Sequence, residues 1–406
     1  MQAKTYLVGG AVRDALLGFE AVENDWVVVG STPDEMLADG FKQVGASFPV
    51  FLHPESGQEY ALARTEKKQG HGYHGFSVDF HPEVTLEEDL ERRDLTINAI
   101  ARDESGRLID PFDGQKDIEG KVLRHVSDAF AEDPLRVLRV ARFAARFADL
   151  GFKVHESTIA LMREITQSGE LLHLSPERSW REIERAMMTA RPSVFVSVLR
   201  ECGALEVLLP EVDVLFGVPQ PEKYHPEIDT GVHVLMALDC AAEISDGNAA
   251  VCFSVLLHDL GKGVTPPSEW PAHKGHEAAG LPLVDAVCQR LKAPNAMHDL
   301  VRKVSEHHLN CHRVLEMRPA KVLNLLQALD VFRQGRILPD FVTACEADYR
   351  GRLGLKKRAY PQGEYLKKAH QAAASILARD LDLSGISGPA VGERLRQARI
   401  QAIADL

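Results

Sequence analysis

Two groups of side chains in this 406-residue sequence have the types and spacing to act on phosphates. The first begins at Gly9-Gly10, which follows the apolar run Tyr6-Leu7-Val8 and precedes Ala11-Val12-Arg13-Asp14, a helix start. Glycine lets the backbone approach a phosphate closely, and the amides of a helix N-terminus donate to it. Alone, such a turn is more often a plain strand-to-helix connection. Weight is added by Glu23-Asn24-Asp25-Trp26-Val27-Val28-Val29, a strand-like run with two acids two residues apart. The two-residue period of a strand puts Glu23 and Asp25 on one face, where paired carboxylates can hold the ions of two-metal phosphoryl or nucleotidyl transfer. The plainer account is a solvated strand end with surface acids. Glu59, heading Glu59-Tyr60-Ala61-Leu62-Ala63, is a candidate third carboxylate and reads equally well as a surface strand acid.

The second group centres on His258-Asp259, at the end of the apolar run Val251 to Leu257. A lone buried histidine is more often a satisfied core residue. Here nine of the 17 histidines fall between His225 and His312, which favours a shared site over scattered core positions. His233 upstream and His276, His307 and Asp348 downstream lie on predicted helices. Imidazole nitrogens with carboxylates suit a transition metal or magnesium, with coordination positions left for a phosphate and a water.

A third feature supports the first group. Arg136, Arg139, Arg142 and Arg146 recur at spacings of three, three and four, which places them on one third of a helix circumference. Salt bridges to neighbouring acids or a solvated face would explain such a stripe. With Arg93 and the paired acids upstream, the expectation is a triphosphate clamp, since guanidinium forks match phosphate oxygens.

The elements that must position these residues change in kind along the chain. Through residue 115, β-branched runs alternate with turns: Tyr6 to Val8, Trp26 to Val29, Val50 to Leu52 and Glu59 to Ala63. They predict one mixed sheet, with helices over Val12 to Leu17 and Pro33 to Ala38 between its strands. Beyond Asp110-Pro111-Phe112-Asp113-Gly114 the texture is helical, with the change between residues 115 and 140. Gly217-Val218-Pro219-Gln220-Pro221 makes a second break and Tyr360-Pro361-Gln362-Gly363 a third.

Composition sets outer limits. The 47 Lys and Arg against 59 Asp and Glu give a net charge of −12, which excludes a uniformly basic nucleic-acid binder. Any anionic partner must be held by a local strip, and the arginines from Arg92 to Arg146 supply one. The sequence has no charge-free run of membrane-spanning length and opens without a signal-peptide pattern, so a cytoplasmic location is expected. Six cysteines without a CxxC pair read as reduced, buried thiols.

Leu7-Val8-Gly9-Gly10-Ala11-Val12-Arg13-Asp14 with the paired acids resembles the head of the DNA polymerase β-type nucleotidyltransferases. Arg92-Arg93-Asp94-Leu95-Thr96-Ile97-Asn98-Ala99, Asp110 to Gly114, Glu132-Asp133-Pro134-Leu135-Arg136, and Glu177-Arg178 through Glu182 resemble, in order, the motif set of the class II tRNA nucleotidyltransferases, the CCA-adding enzymes. His258-Asp259 with His233 and Asp348 is similar to the H…HD…D pattern of the HD phosphohydrolases, which one bacterial type of CCA enzyme carries. The resemblance implies an α+β fold: a nucleotidyltransferase head with a mixed sheet over residues 1–140, a helical neck and body over 141–224, an all-α HD domain over 225–331 and a helical C-terminal region over 332–406. It implies addition and repair of the 3′-terminal CCA of tRNA from CTP and ATP, with no nucleic-acid template and with release of pyrophosphate.

Carried over residue by residue, Glu23 and Asp25 are the catalytic Mg2+ ligands. Gly10, Arg13, Arg93, Asp133, Arg136, Arg139 and Arg142 bind the nucleotide. Asp133 accepts only and Arg136 donates only, which fits the amino donor and ring acceptor shared by cytosine and adenine and leaves unpaired groups against uracil and guanine. In the HD region the implied ligands are His233, His258, Asp259 and Asp348, with His276 and His307 as further candidates. They would hold a divalent ion, Ni2+ or another transition metal, for phosphatase, 2′-nucleotidase and 2′,3′-cyclic phosphodiesterase activity. Implied partners are the tRNA acceptor end, ATP and CTP, without DNA or membrane, for a monomer or homodimer. The sequence departs from the family at Glu23, one methylene longer than the usual Asp. Two alternatives stand beside this reading. One is a bacterial poly(A) polymerase, whose members tend to carry a basic pair where this chain has Val44-Gly45-Ala46-Ser47-Phe48. The other is a tRNA-binding protein with only HD hydrolysis, against which Asp25, Arg93 and the arginine stripe argue.

Overall fold

A computed structural model describes residues 3–20, 23–44, 50–68, 76–384 and 387–406. Gly45 to Phe48, where the poly(A) polymerase comparison falls, lie outside the described residues. The chain divides into two compact units, Met1–Glu182 with Ser197–Leu208, and Ile183–Val196 with Leu209–Leu406.

The first unit is built on a seven-stranded sheet. Its strands are β1 (Lys4–Val8), β2 (Asp25–Val29), β3 (Lys42–Val44), β4 (Val50–Leu52) and β5 (Glu59–Leu62), followed, beyond the separate hairpin of β6 (Thr65–Lys68) and β7 (Phe76–Asp79), by β8 (Ala101–Arg102) and β9 (Leu108–Ile109). The spatial order β3-β4-β5-β2-β1-β8-β9 puts β2 at the centre, antiparallel to β1 and parallel to β5. Side-chain alternation sorts the core onto two faces. Val8 and Val27 pack with Ala63, Leu90, Ala99 and Ala101, while Leu7 packs with Ala11, Val12 and Ile100. The second set carries α1 (Gly10–Leu16), and the first carries α3 (Leu86–Glu91). Both α2 (Pro33–Ala38) and α3 start at a capping box, Thr32 with Glu35 and Thr85 with Glu88, where each residue satisfies the other's backbone amide.

Helices then take over: α4 (Gly114–Gly120), α5 (Leu135–Arg146), α6 (Glu156–Gln167), α7 (Pro176–Met187), α8 (Pro192–Glu201) and α9 (Ala204–Leu208). The two-residue strands β10 (Val122–Leu123) and β11 (Lys153–Val154) pair in parallel among them. β3, β8 and β9 have two or three residues each, too few for alternation to show in the sequence. The expectation that Glu23 shares a strand with Asp25 is not met. The strand begins at Asp25 and Glu23 occupies a bend before it, so the two-residue period does not put the two acids on one face.

The second unit is all helical: α10 (Pro210–Asp213), α11 (Thr230–Ile244), α12 (Ala249–Leu257), α13 (His276–Leu291), α14 (Asn295–His312), α15 (Pro319–Ala328), α16 (Ile337–Arg350), α17 (Pro361–Ser375) and α18 (Pro389–Ala404). The sequence of α12, AAVCFSVLL, is apolar on all sides and therefore becomes the central helix, packed among α11, α14 and α16. Val251 to Leu257 are all fully buried, so His258, at its C-terminal end, is fixed in the interior.

Candidate active sites

In the first unit the β1-to-α1 turn is made by Gly9 at φ +68°, and a Cβ there would come within 2.7 Å of the Arg93 guanidinium. The positive φ favours glycine there, and the movable Arg93 side chain lies over the turn. Asp25, exposed at the head of β2, pairs with Val8 on one side and Glu59 on the other. The register therefore brings the Glu59 strand position beside Asp25, while Glu23 is exposed in the bend. Desolvation by the surrounding protein raises the Asp25 carboxyl above its usual range; Arg93 opposes this and the charge of Glu23 adds to it. Among the described residues these acids do not form a group of three with oxygens all within 4.8 Å. Two carboxylates completed by substrate phosphates nonetheless suit Mg2+, which keeps few protein ligands.

The arginine stripe runs along α5 and meets acids at nearly every step. Arg139 donates to Asp94 (Nε–Oδ2 2.8 Å), Arg142 to Glu182 (2.5 Å) and Arg146 to Asp14 (3.0 Å). Arg13, buried, donates to Asp14 at 2.9 Å and Asn98 at 2.5 Å. The guanidinium groups of Arg13, Arg139 and Arg142 surround the Phe143 ring at 5.0, 5.7 and 4.2 Å. The salt-bridged account of the stripe is thus the arrangement found. Arg139 and Arg146 remain accessible, with side chains 34% and 40% exposed, whereas Arg136 and Arg142 are buried. Arg136 donates to the carbonyls of Ala129 and Arg92, both at 2.5 Å. The Asp133 carboxylate is engaged by other groups. Its Oδ2 accepts from Arg178 at 2.7 Å and its Oδ1 from the Leu135 amide.

The second unit holds a tighter constellation. The Nδ1 of His258 faces the Val255 carbonyl (2.7 Å), that of His276 the His273 carbonyl (2.9 Å), and that of His308 the carbonyls of Val304 and Ser305 (3.1 Å each). A nitrogen facing a carbonyl must donate, so a neutral ring presents a lone pair at Nε2. Burial pushes His308 well below the ordinary histidine range, which keeps it neutral. The Nε2 atoms of His276 and His308 lie 3.5 Å apart, with Asp259 Oδ1 at 3.3 and 3.8 Å from them. His258 Nε2 and Asp259 Oδ1 are buried without hydrogen-bond partners. Acceptors converging in a dry interior repel unless a proton or cation lies between them, and this set fits a divalent ion. Asp348 joins from α16, with Oδ1 at 3.0 Å from His233 Nε2 and 3.9 Å from His258 Nε2. Its Oδ2 is held at 2.6 Å by His312, which in turn meets the Tyr360 hydroxyl. Four overlapping donor groups result: His225–Glu227–His233, His233–His258–Asp259, His258–His308–Asp348 and Asp259–His276–His308.

Residues 5–124 match the family described as the poly A polymerase head domain, and residues 151–216 match that described as "probable RNA and SrmB-binding site of polymerase A". The chain is 58% identical over 400 residues to the multifunctional CCA protein of Pseudomonas fluorescens, covering 98% of each chain. It is also 58% identical to that of Thioalkalivibrio sulfidiphilus, over 99% of this chain and 98% of the relative. The chain belongs to the multifunctional CCA protein family. The fold is also that of solved CCA-adding enzymes. An apo form matches with TM-score 0.66 at 19% identity, over 99% of this chain and 91% of that one. The Thermotoga maritima enzyme complexed with tRNA-CCA matches with TM-score 0.64 at 19% identity, over 100% and 88%.

In this CCA family member the sequence-derived site residues fall into both units as follows. Asp25 and Glu59 are register neighbours on β2 and β5, Arg93 lies over the Gly9-Gly10 turn, and Arg13, Arg139 and Arg142 stand around Phe143. His233, His258, Asp259, His276 and Asp348 meet in the helical centre. His307 does not: its Nε2 lies 3.9 Å from the neighbouring Glu306 carboxylate, and it belongs to none of the four donor groups. One helical step turns a side chain by about 100°, and it is His308 and His312, four residues apart on one face of α14, that turn inward. That i, i+4 spacing was legible in the sequence. Also missed were Arg178 on Asp133 and Lys262, buried and bonded to Asp259 and Gln220 at 2.6 Å each. Among the described residues no helix is long and apolar enough to cross a membrane, and all six cysteines are free and buried.

Proposed function

We propose that this CCA protein completes and repairs the 3′-terminal CCA of tRNA from CTP and ATP, releasing pyrophosphate, and that its second unit hydrolyses phosphate esters. The observation that carries the first part is the 58% identity to multifunctional CCA proteins along almost the whole chain. Asp25, with Glu23 or its strand neighbour Glu59, would hold Mg2+, which when bound activates the attacking hydroxyl and stabilises charge on the phosphates. Arg93 over the Gly9-Gly10 turn, with the accessible Arg139, orients the triphosphate. Asp133 and Arg136 read the amino donor and ring acceptor of C and A. Asp133 is bonded to Arg178 and Arg136 to backbone carbonyls, so reading a base exchanges those bonds for base contacts.

The second part rests on two buried atoms without hydrogen bonds, Asp259 Oδ1, which lies against the Nε2 atoms of His276 and His308, and His258 Nε2, 3.2 Å from Asp259 Oδ2. An ion held there, Ni2+ or another transition metal, would supply an activated water for phosphatase, 2′-nucleotidase and 2′,3′-cyclic phosphodiesterase chemistry. Lys262 neutralises Asp259, and His312 holds Asp348 in place. Because Asp348 comes from α16 and His312 leans on Tyr360, we extend the phosphohydrolase unit beyond residue 331 to at least residue 360.

One assay tests the first part. Purified protein is incubated with Mg2+, CTP, ATP and a tRNA ending at the discriminator base, and the 3′ ends are sequenced. Addition of CCA followed by arrest is expected. A long A tract would instead identify a poly(A) polymerase, and no addition would leave only the hydrolase. Release of phosphate from a 2′-phosphate or opening of a 2′,3′-cyclic phosphate in the presence of Ni2+ tests the second part.

A further inference from the structure

Glu227 has no place in the chemistry described so far. It lies on the loop before α11, yet its side chain is only 2% exposed. A buried carboxylate ordinarily pairs with Lys or Arg. The contacts of this one are different: Oε1 lies 3.1 Å from His225 Nδ1 and 2.9 Å from His233 Nδ1, and Oε2 accepts from the Leu353 amide at 3.2 Å. The next residue, Ile228, has φ +62°. A β-branched residue in the left-handed region is strained and persists only where the surroundings impose it. Here the loop is fastened on both sides. Gln220 N donates to Ile228 O at 2.7 Å, Asp229 accepts from Gly217 N at 2.6 Å, and Asp229 also caps α11 through Val232 N at 2.8 Å.

The other nitrogen of His233 faces the ion centre, 3.0 Å from Asp348 Oδ1. A neutral imidazole carries one N–H. For Nε2 to offer its lone pair to an ion the proton must sit on Nδ1, and a buried Nδ1–H needs an acceptor. Asp348 alone would draw the proton to Nε2 and close that position. Glu227 Oε1 is within hydrogen-bond distance of Nδ1, although off the ideal line. His225, edge-on to His233 at 4.6 Å between ring centroids, donates from its own Nδ1 to the same carboxylate and steadies it.

We propose that Glu227 is a positioning residue whose carboxylate holds the His233 proton on Nδ1, turning the Nε2 lone pair toward a divalent ion in the histidine centre. This rests on the reading of that centre as an ion site. Titration of the full chain with Co2+, followed by visible absorption and calorimetry, tests both and separates them. The wild-type chain is expected to bind Co2+ with a d–d band, and His258→Ala to lose it. Glu227→Ala should weaken binding by about 10- to 100-fold, the usual effect of removing the partner of a ligating histidine, and shift the band. Glu227→Gln keeps the shape and an acceptor without the charge, and should fall between, with unchanged circular dichroism. Wild-type affinity and band in both Glu227 variants would overturn the inference while leaving the ion site standing. Loss of helical signal in Glu227→Gln would overturn it too, by making Glu227 a folding residue. Identical binding by wild type and His258→Ala would remove the ion site and the inference together.

Discussion

Asp25 stands exposed at a strand end, with Glu59 beside it in register, while Asp259 is 1% exposed and already within 4 Å of three histidines and a lysine. The same carboxylate chemistry is therefore prepared to different degrees. In the sheet unit the acids are left open, and the cations that could meet a triphosphate are meanwhile occupied by Asp14, Asp94 and Glu182. In the helical unit the protein has assembled the donors itself. A site that must take in a nucleotide and an RNA end has to remain accessible, and its charges need internal partners until substrate replaces them. Donors that converge on one ion can be built dry.

Measurements on both units sharpen or break that comparison. The largest effect is expected at Asp25: Asp25→Ala should lower nucleotide addition by about 10⁴-fold, or about 5 kcal/mol of barrier, while cyclic phosphate hydrolysis persists. His258→Ala should do the reverse, and loss of both activities in either variant would mean the sites are not independent. Next comes the buried pair at the base of the arginine stripe. Glu182→Ala strands Arg142 and should cost about 3 kcal/mol in denaturant unfolding; a neutral result would show the stripe is not held by its acids.

Asp94 brings a pH dependence. Burial alone would raise its carboxyl, but the Arg139 charge and the Asn98 hydrogen bond outweigh it and hold it well below the usual range. A depressed folded value contributes stability above the unfolded value of about 3.9, lost as pH falls through the folded one. Asp94→Asn should therefore destabilise by about 2 kcal/mol at neutral pH, and the gap in melting temperature should narrow only below about pH 4; a gap already closing at pH 6 would refute this. Asp133→Asn should cut discrimination of CTP from UTP about tenfold, near 1.4 kcal/mol, because an amide donates as well as accepts. Unchanged selectivity in single-turnover incorporation would remove Asp133 from base reading. The smallest change is expected at Glu23→Asp, within about threefold in addition rate, because Glu23 sits in an exposed bend free to adjust. A much larger change would make Glu23 a fixed ligand like those of the helical centre.

Much of this was readable from residue order. The strands Tyr6 to Val8 and Trp26 to Val29, the glycine turn, the change to helices after Gly114 and the apolar run leading to His258-Asp259 all show in local patterns, because alternation, turn chemistry and uniform apolarity act over a few neighbours. Identities such as Asp25, Arg93 and His258 likewise carry chemical meaning by type and motif. Tertiary packing decided the rest. Pairing of β2 with β5 put Glu59 beside Asp25, although 34 residues of sequence separate them. The phase of α14 turned His308 and His312 inward and left His307 out. The partners of the arginine stripe, the Arg178 bond to Asp133 and the placing of Glu227 against His233 depend on contacts between segments far apart in the chain. Sequence determined which groups are present and on what kind of element; only the folded chain determined which of them share a dry, converging space, because desolvation and lone-pair direction depend on neighbours that local order does not name.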